Sequence, residues 1–195
     1  MLKRESPLKI FDNQNLININ DIAIQELQHT TKINLRGSLN DNDFTSKVSK
    51  VFNAALPNKA NTFVRLNSIY LIWLGPNEWL ITEKNKENKK EFLEKLEKAV
   101  GSSEASVTEI SENRTVIQIS GKKIFTLLAK FLTLDLNKSF AKPASVAQTL
   151  FVKVPVLLVR SFDDMQVPTI DIYVNRSQSD YVYKLLVDGA TNLDF

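Results

Sequence analysis

The sequence predicts an α+β fold of two similar halves, each ordered strand–helix–strand–strand–helix and related by a pseudo-two-fold. Two observations point there. The same order of signals occurs twice, at about residues 31–100 and 114–188, and in each half a glycine separates the first strand from the first helix. Hydrophobic residues make up 43% of 195 positions, and there is no cysteine, so the apolar content has to supply a core without disulfide staples. The predicted division is an N-terminal arm over 1–30, a first half over 31–100 and a second over 101–195. Together they are expected to form one cooperative domain, with 101–113 as the crossover.

The arm is the least patterned part. Its first dozen residues lack periodicity and carry charges with no apolar run behind them, so no secretory signal is expected. Residues 31–36 read as a strand with Ile33 and Leu35 on one face, ended by Gly37. Over 41–55 a helical stripe of Phe44, Val48, Val51, Phe52 and Ala55 follows, with Asn40 or Asp41 as N-cap and Pro57 as the stop. Residues 62–66 and 69–74 read as one long or two short strands, and 78–82 as the next, after the turn Gly75-Pro76-Asn77. Residues 86–100 form a second helix with Phe92, Leu93, Leu96 and Val100 inward, and Gly101 stands where a left-handed residue ends it.

The second half repeats the order. Residues 114–120 are a strand closed by Gly121, and 122–132 a helix with Ile124, Phe125, Leu128, Phe131 and Leu132 on one side. Residues 146–152 and 154–160 are extended, and 169–174 alternates, with Ile170, Ile172 and Val174 pointing one way. Ser177 with Asp180 has capping-box spacing at the start of a last helix striped by Tyr181, Val182, Leu185 and Leu186.

Few residues offer chemistry. His29 is the one histidine, with no metal partner or nucleophile motif beside it, and is read as structural. Five glycines lie far apart, so there is no Gly-x-Gly-x-x-Gly. Gly121-Lys122-Lys123 at a helix start has some of the features of an anion site, but a tight strand-to-helix turn accounts for the glycine more simply. Asp163-Asp164 is read as a turn former. The run from Lys84 to Glu91 is basic but diluted by acids, and reads as a solvated helix face. With a net charge of +3 and no concentrated basic patch, no nucleic-acid partner is expected. The longest apolar run, residues 69–74, is too short to span a bilayer, which takes roughly 20 residues, so no membrane partner is expected and a cytoplasmic location is. Trp73 and Trp79 flank the Gly75-Pro76 turn, and Tyr181 and Tyr183 lie on the last helix. For each, core packing and a docking surface remain open.

Several short motifs then occur in a fixed order. They are Leu35-Arg36-Gly37, Leu56-Pro57 with Asn61-Thr62, and Leu74-Gly75-Pro76-Asn77-Glu78-Trp79-Leu80. Val107-Thr108-Glu109-Ile110-Ser111 with Arg114-Thr115 follows, then Ser120-Gly121, Leu134-Asp135-Leu136 with Phe140, Ala147-Gln148-Thr149, and Asn175-Arg176-Ser177 with Asp180-Tyr181. The ordered set resembles the gamma subunit of heterotetrameric sarcosine oxidase from about residue 31 onward. Asn77 and Glu109 each stand where an aspartate is common in that family, and Gln178-Ser179 replaces a more apolar stretch.

The resemblance implies a folate-binding fold like that of the glycine-cleavage aminomethyltransferase. It implies a complex that oxidatively demethylates sarcosine to glycine, makes hydrogen peroxide and passes a one-carbon unit to tetrahydrofolate. FAD, FMN, NAD and tetrahydrofolate are implied for the partner subunits and no cofactor for this chain. The implied partners are the alpha and beta subunits, with delta as a further one. No catalytic, cofactor or metal residue is expected here. By motif position Arg36, Trp79, Arg114 and Arg176 are the expected partner contacts, with an intramolecular salt bridge the competing role for each arginine. The alternative is a free-standing folate-binding, aminomethyltransferase-like protein, for which Glu109, Asp171 and Arg114 are the nearest candidates. A nucleic-acid adaptor is a third reading, prompted by the basic pI.

Overall fold

Alternating apolar residues build two antiparallel sheets, and helical stripes cover one face of each. The computed structural model describes residues 6–8, 16–83, 89–101, 104–142, 144–161 and 167–193. In chain order the strands and helices are β1 (Leu16–Ile19), β2 (Ile22–Glu26), β3 (Thr31–Arg36), α1 (Asn42–Phe52), β4 (Phe63–Leu66), β5 (Ile69–Gly75), β6 (Glu78–Glu83) and α2 (Lys89–Val100). They continue with β7 (Ser106–Glu109), β8 (Arg114–Ser120), α3 (Ile124–Ala129), α4 (Leu136–Ser139), β9 (Val146–Phe151), β10 (Val154–Ser161), β11 (Thr169–Asn175) and α5 (Ser179–Thr191). No helix among the described residues is long and apolar enough to cross a membrane.

The chain divides into two compact units. One is Thr30–Glu112, and the other is made by the segments on either side of it. This corrects the predicted boundaries. Residues 16–26, assigned to the N-terminal arm, are part of a sheet: β1 and β2 form a hairpin, and β2 pairs with β8. Nor is 101–113 only a crossover, since β7 pairs with β3 and closes the five-stranded sheet of its own unit.

In the middle unit the sheet order is β4-β5-β6-β3-β7. Ile33, Leu35, Leu71, Trp79 and Ile81 turn one face toward Phe44, Val48 and Phe52 of α1 and Leu96 and Val100 of α2. Each such side chain, fully buried, contributes about 1.5–3 kcal/mol, which is what holds these amphipathic helices to the sheet. Asp41 caps α1 by accepting from the N–H groups of Asp43 and Phe44. The helix stops at Phe52, short of the predicted Ala55, because Asn53 turns left-handed at φ 51° and its N–H returns to Ser49. Gly101 ends α2 the same way, with φ 44° and an N–H bond to Glu97 O at 2.9 Å.

The outer segments form a sheet ordered β1-β2-β8-β11-β10-β9. Ile117, Ile119, Val156, Leu158, Ile170, Ile172 and Val174 face a core filled by α3, α4 and α5. The predicted helix over 122–132 is shorter, and a second, α4, follows, capped by Asp135, whose side chain accepts from Lys138 N–H. The capping box at Ser177 does not form. Residues 176–178 make a 3₁₀ turn, and Ser179 Oγ donates to Arg176 O at 2.8 Å. That delay rotates α5, so Val182, Tyr183 and Leu186 face inward and Tyr181 is half exposed. Burial raises the Tyr183 phenol above its ordinary pKa. The Lys84–Asn88 part of the basic run and Asp163-Asp164 lie outside the described residues.

Strand for strand the two sheets share one connectivity, with β8, β11, β10 and β9 in the places of β3, β6, β5 and β4. In the place of β7, which follows α2, the outer unit uses β2, which comes from far upstream. Gly121 makes that close approach possible. Its φ is +137°, and a Cβ there would lie 2.2 Å from Asp21 O in the β1–β2 turn. Asn20 and Asp21 are both left-handed, and Asn20 Nδ2 donates to Ala190 O at 2.8 Å, tying the turn to the end of α5.

The packing sets the cost of substitutions at these points. Gly121→Ala is expected to lose about 2–5 kcal/mol of stability in denaturant titration, from strain plus overlap. Gly75→Ala should change it by less than about 1 kcal/mol, since the nearest atom to a Cβ there is 3.8 Å away. Trp79→Phe removes an indole that is 0% exposed and donates to Pro57 O at 2.8 Å, and should cost about 2–4 kcal/mol.

Candidate functional site

The four residues singled out by motif position have different surroundings. Trp79 lies on β6 with its ring wholly inside the helix-covered core, 6.1 Å from Phe44, and its Nε1–H holds the Pro57 carbonyl. A ring with no exposed surface cannot meet a partner, so the expected contact there is corrected to a core role. Trp73, its cross-strand neighbour, is half-buried against the same core.

Arg36 ends β3 directly opposite Glu78 of β6. Its Nη2 lies 3.0 Å from Glu78 Oε2, and Asn34 Nδ2 donates to Glu78 Oε1 at 2.6 Å. Strand pairing thus saturates the carboxylate from both sides. The Arg36 side chain is 59% exposed, so this ion pair adds under about 1 kcal/mol.

Arg114 and Arg176 are brought together in the outer unit. Arg114 opens β8 opposite Asn175, the last residue of β11, and Arg176 N–H donates to Asn113 O at 2.9 Å. Both side chains are half-buried. One end of this sheet therefore carries two arginines, Arg114 opening β8 and Arg176 in the 3₁₀ turn that follows β11. Arg36 belongs to the other unit.

Sequence reasoning missed Lys32, which is 2% exposed on β3. Its Nζ donates to Thr30 O at 3.3 Å, and its peptide is held by Ser111 Oγ and Ile110 N–H. Asp171, 1% exposed on β11, accepts from Gln118 Nε2 at 2.7 Å, and Gln118 Oε1 accepts from Gln25 Nε2 at 2.6 Å. The run crosses β11, β8 and β2 on one sheet face. The amide bond fixes the direction of the carboxylate and ties β11 to β8. The signal for both residues was a charge in a strand at a polar position of the alternation, which ordinarily means solvent. Glu109 is exposed on β7, in the other unit from Asp171 and Arg114. Glu26 accepts from Thr115 Oγ1 at 2.6 Å and also from Ser6 Oγ, a clasp on the incoming chain.

His29, in the segment that follows β2, is half-buried. Among the described residues no group of three His, Asp or Glu is placed to hold a metal ion. An open depression of about 480 Å³ is lined by Asn18, Asn20, Asp21, Ala23, Ser120, Gly121 and Val167. No cationic side chain is among these, and Asn20 is already committed to α5.

Comparison with known proteins agrees with the ordered motifs. The sarcosine oxidase subunit gamma of Corynebacterium sp. (strain U-96) is 27% identical over 144 residues, 72% of this chain and 67% of that one. The subunit gamma of Corynebacterium sp. (strain P-1) is 25% identical over 142 residues, 72% and 68% of the two chains. Among solved structures, a chain of the heterotetrameric sarcosine oxidase from Corynebacterium sp. U-96, in complex with pyrrole 2-carboxylate, superposes with a TM-score of 0.82. It is 23% identical, and the match covers 96% of this chain and 95% of that one. The glycine cleavage system aminomethyltransferase T from Bartonella henselae matches with a TM-score of 0.60 at 16% identity, over 84% of this chain and 45% of that one, so the likeness is to part of its fold. The family described as sarcosine oxidase, gamma subunit matches residues 36–192, which takes in every motif from Arg36 to Tyr181, and the chain belongs to that family.

Proposed function

We propose that this chain is a non-catalytic gamma subunit of a heterotetrameric sarcosine oxidase, acting in assembly and docking with the larger alpha and beta subunits. The family match over residues 36–192 carries the reading. The reaction proposed for the whole complex is oxidative demethylation of sarcosine to glycine, with hydrogen peroxide formed and the one-carbon unit passed to tetrahydrofolate. FAD, FMN, NAD and tetrahydrofolate are assigned to the larger subunits. In this chain, the side chains best placed to meet a ligand are engaged in holding strands: Asp171 by Gln118, Glu78 by Asn34 and Arg36, Glu26 by Thr115. The shared connectivity of the two sheets supports, within the same proposal, a chain built by doubling one motif of a strand, a helical segment, three strands and a helix.

The test is reconstitution. Co-expressed with the larger subunits of the same organism, the chain should be required for a stable complex and for sarcosine turnover, and the purified chain should turn over nothing. Normal assembly and turnover without it would overturn the proposal. Tight tetrahydrofolate binding by the isolated chain would favour the aminomethyltransferase-like alternative. Arg36→Ala is expected to shift the melting temperature by no more than about 4 °C while weakening recovery of the complex.

A further inference from the structure

The face of the outer sheet that turns away from its helices carries a polar row at one end. Ile17 and Ile19 of β1, Ile22 and Ile24 of β2, and Ile117 and Ile119 of β8 pack on the helix side. Alternation therefore turns Asn18, Ala23 and Ser120 the other way, and the register sets them directly across from one another with Ala23 in the middle. Two strand spacings, about 10 Å, separate Asn18 from Ser120. The small Ala23 between them, and the absence of a Cβ at Gly121, leave an open depression of about 480 Å³ walled on one side by the turn at Asp21.

Its walls are of two kinds. Asp21, Asn18 and Ser120 offer a carboxylate, an amide and a hydroxyl, and among the described residues no hydrogen bond or ion pair engages these side chains. Lys122 and Lys123, next in sequence after Gly121, are not among the lining residues. Val167, 44% exposed, lines the same depression. Leu16, 45% exposed, lies on the face of Asn18, two residues along β1. Two of the large apolar side chains that remain exposed thus border a set of acceptor oxygens around one negative charge. The arrangement is formed in advance: Asn20 ties the turn to α5, and Gly121 N–H donates to Pro168 O at 3.1 Å, beside Val167.

We infer that this depression receives a basic side chain, arginine before lysine, from a larger subunit of the oxidase. The inference rests on the assembly reading and gives it a location. A long basic side chain has an apolar stem and a cationic head. Leu16 and Val167 suit the stem. Asp21 pairs with the head, and the oxygens of Asn18 and Ser120 accept further N–H groups, for which a guanidinium has donors enough. An acidic or purely apolar segment would leave the carboxylate unmet, which makes it the poorer occupant. A second copy of this chain, at a net charge of +3, is repelled at long range.

The experiment compares wild type, Asp21→Asn and Asn18→Arg, each co-expressed with the larger subunits of the same organism and each also melted alone. Asp21→Asn removes the charge and keeps the left-handed turn, which asparagine adopts readily. It should melt within about 3 °C of wild type and still lower recovered complex by about tenfold. Asn18→Arg supplies the depression with a cation of the chain's own and should lower recovery as much. Added salt during capture should weaken recovery of wild type and leave Asp21→Asn nearly unchanged, a split that a purely structural aspartate would not produce. Should Asn18→Arg fail to fold, Asp21→Asn carries the test alone. Full recovery with the folded variants, while wild type assembles, would overturn the docking site and leave the assembly reading standing. Failure of wild type itself to join the larger subunits would overturn both. A wild-type dimer abolished by Asp21→Asn, with assembly intact, would assign the depression to a second copy instead.

Discussion

The close approach of the Asp21 carbonyl to Gly121 is the constraint on which the outer unit depends. β8 needs a strand on each edge. β11 supplies one, and the other must come from the far N-terminal side, past a whole intervening unit of chain. Only a residue without Cβ, at φ +137°, lets the β1–β2 turn sit against the end of β8. Once there, the turn is tied by Asn20 to α5, and Glu26 gathers Thr115 and Ser6 at the other end of β2. The middle unit meets the same need locally, with β7 returning to β3 directly after α2.

That difference explains what was legible in the residues. The strand over Thr31–Arg36 and the strand over Arg114–Ser120 match their predicted limits, because a glycine follows each and apolar alternation sets their faces. Asp41 as cap and Gly101 as terminator were readable from local chemistry alone. The β1–β2 hairpin was missed although Ile17, Ile19, Ile22 and Ile24 alternate around Asn20-Asp21, a recognised hairpin signature. Its partner β8 is about 90 residues away, and nothing local reports a long-range pairing. β7 is four residues with little burial, stabilised by its neighbour more than by its own sequence.

The functional reading shows a similar division. Family motifs identified the chain, yet those motifs are largely structural: Trp79 and Gly121 are internal, and Arg36 is paired across its own sheet with Glu78. Motif position therefore located what the fold needs to persist. Exposed features such as Leu150 and a left-handed Val152 carry no recognisable motif. They emerge only when exposure and backbone conformation are known. A chain that works through its surface has its functional residues where sequence patterns are weakest.

The central claim is that this polypeptide acts by what it touches. Hydrogen–deuterium exchange, read by mass spectrometry on the free chain and on the chain within its complex, tests it most directly. Docking predicts slowed exchange on assembly around 113–116 and 176, with the other strands of both cores unchanged. Exchange that is the same in both states at those segments, with protection appearing instead near Asp171 when tetrahydrofolate alone is added to the free chain, would contradict it.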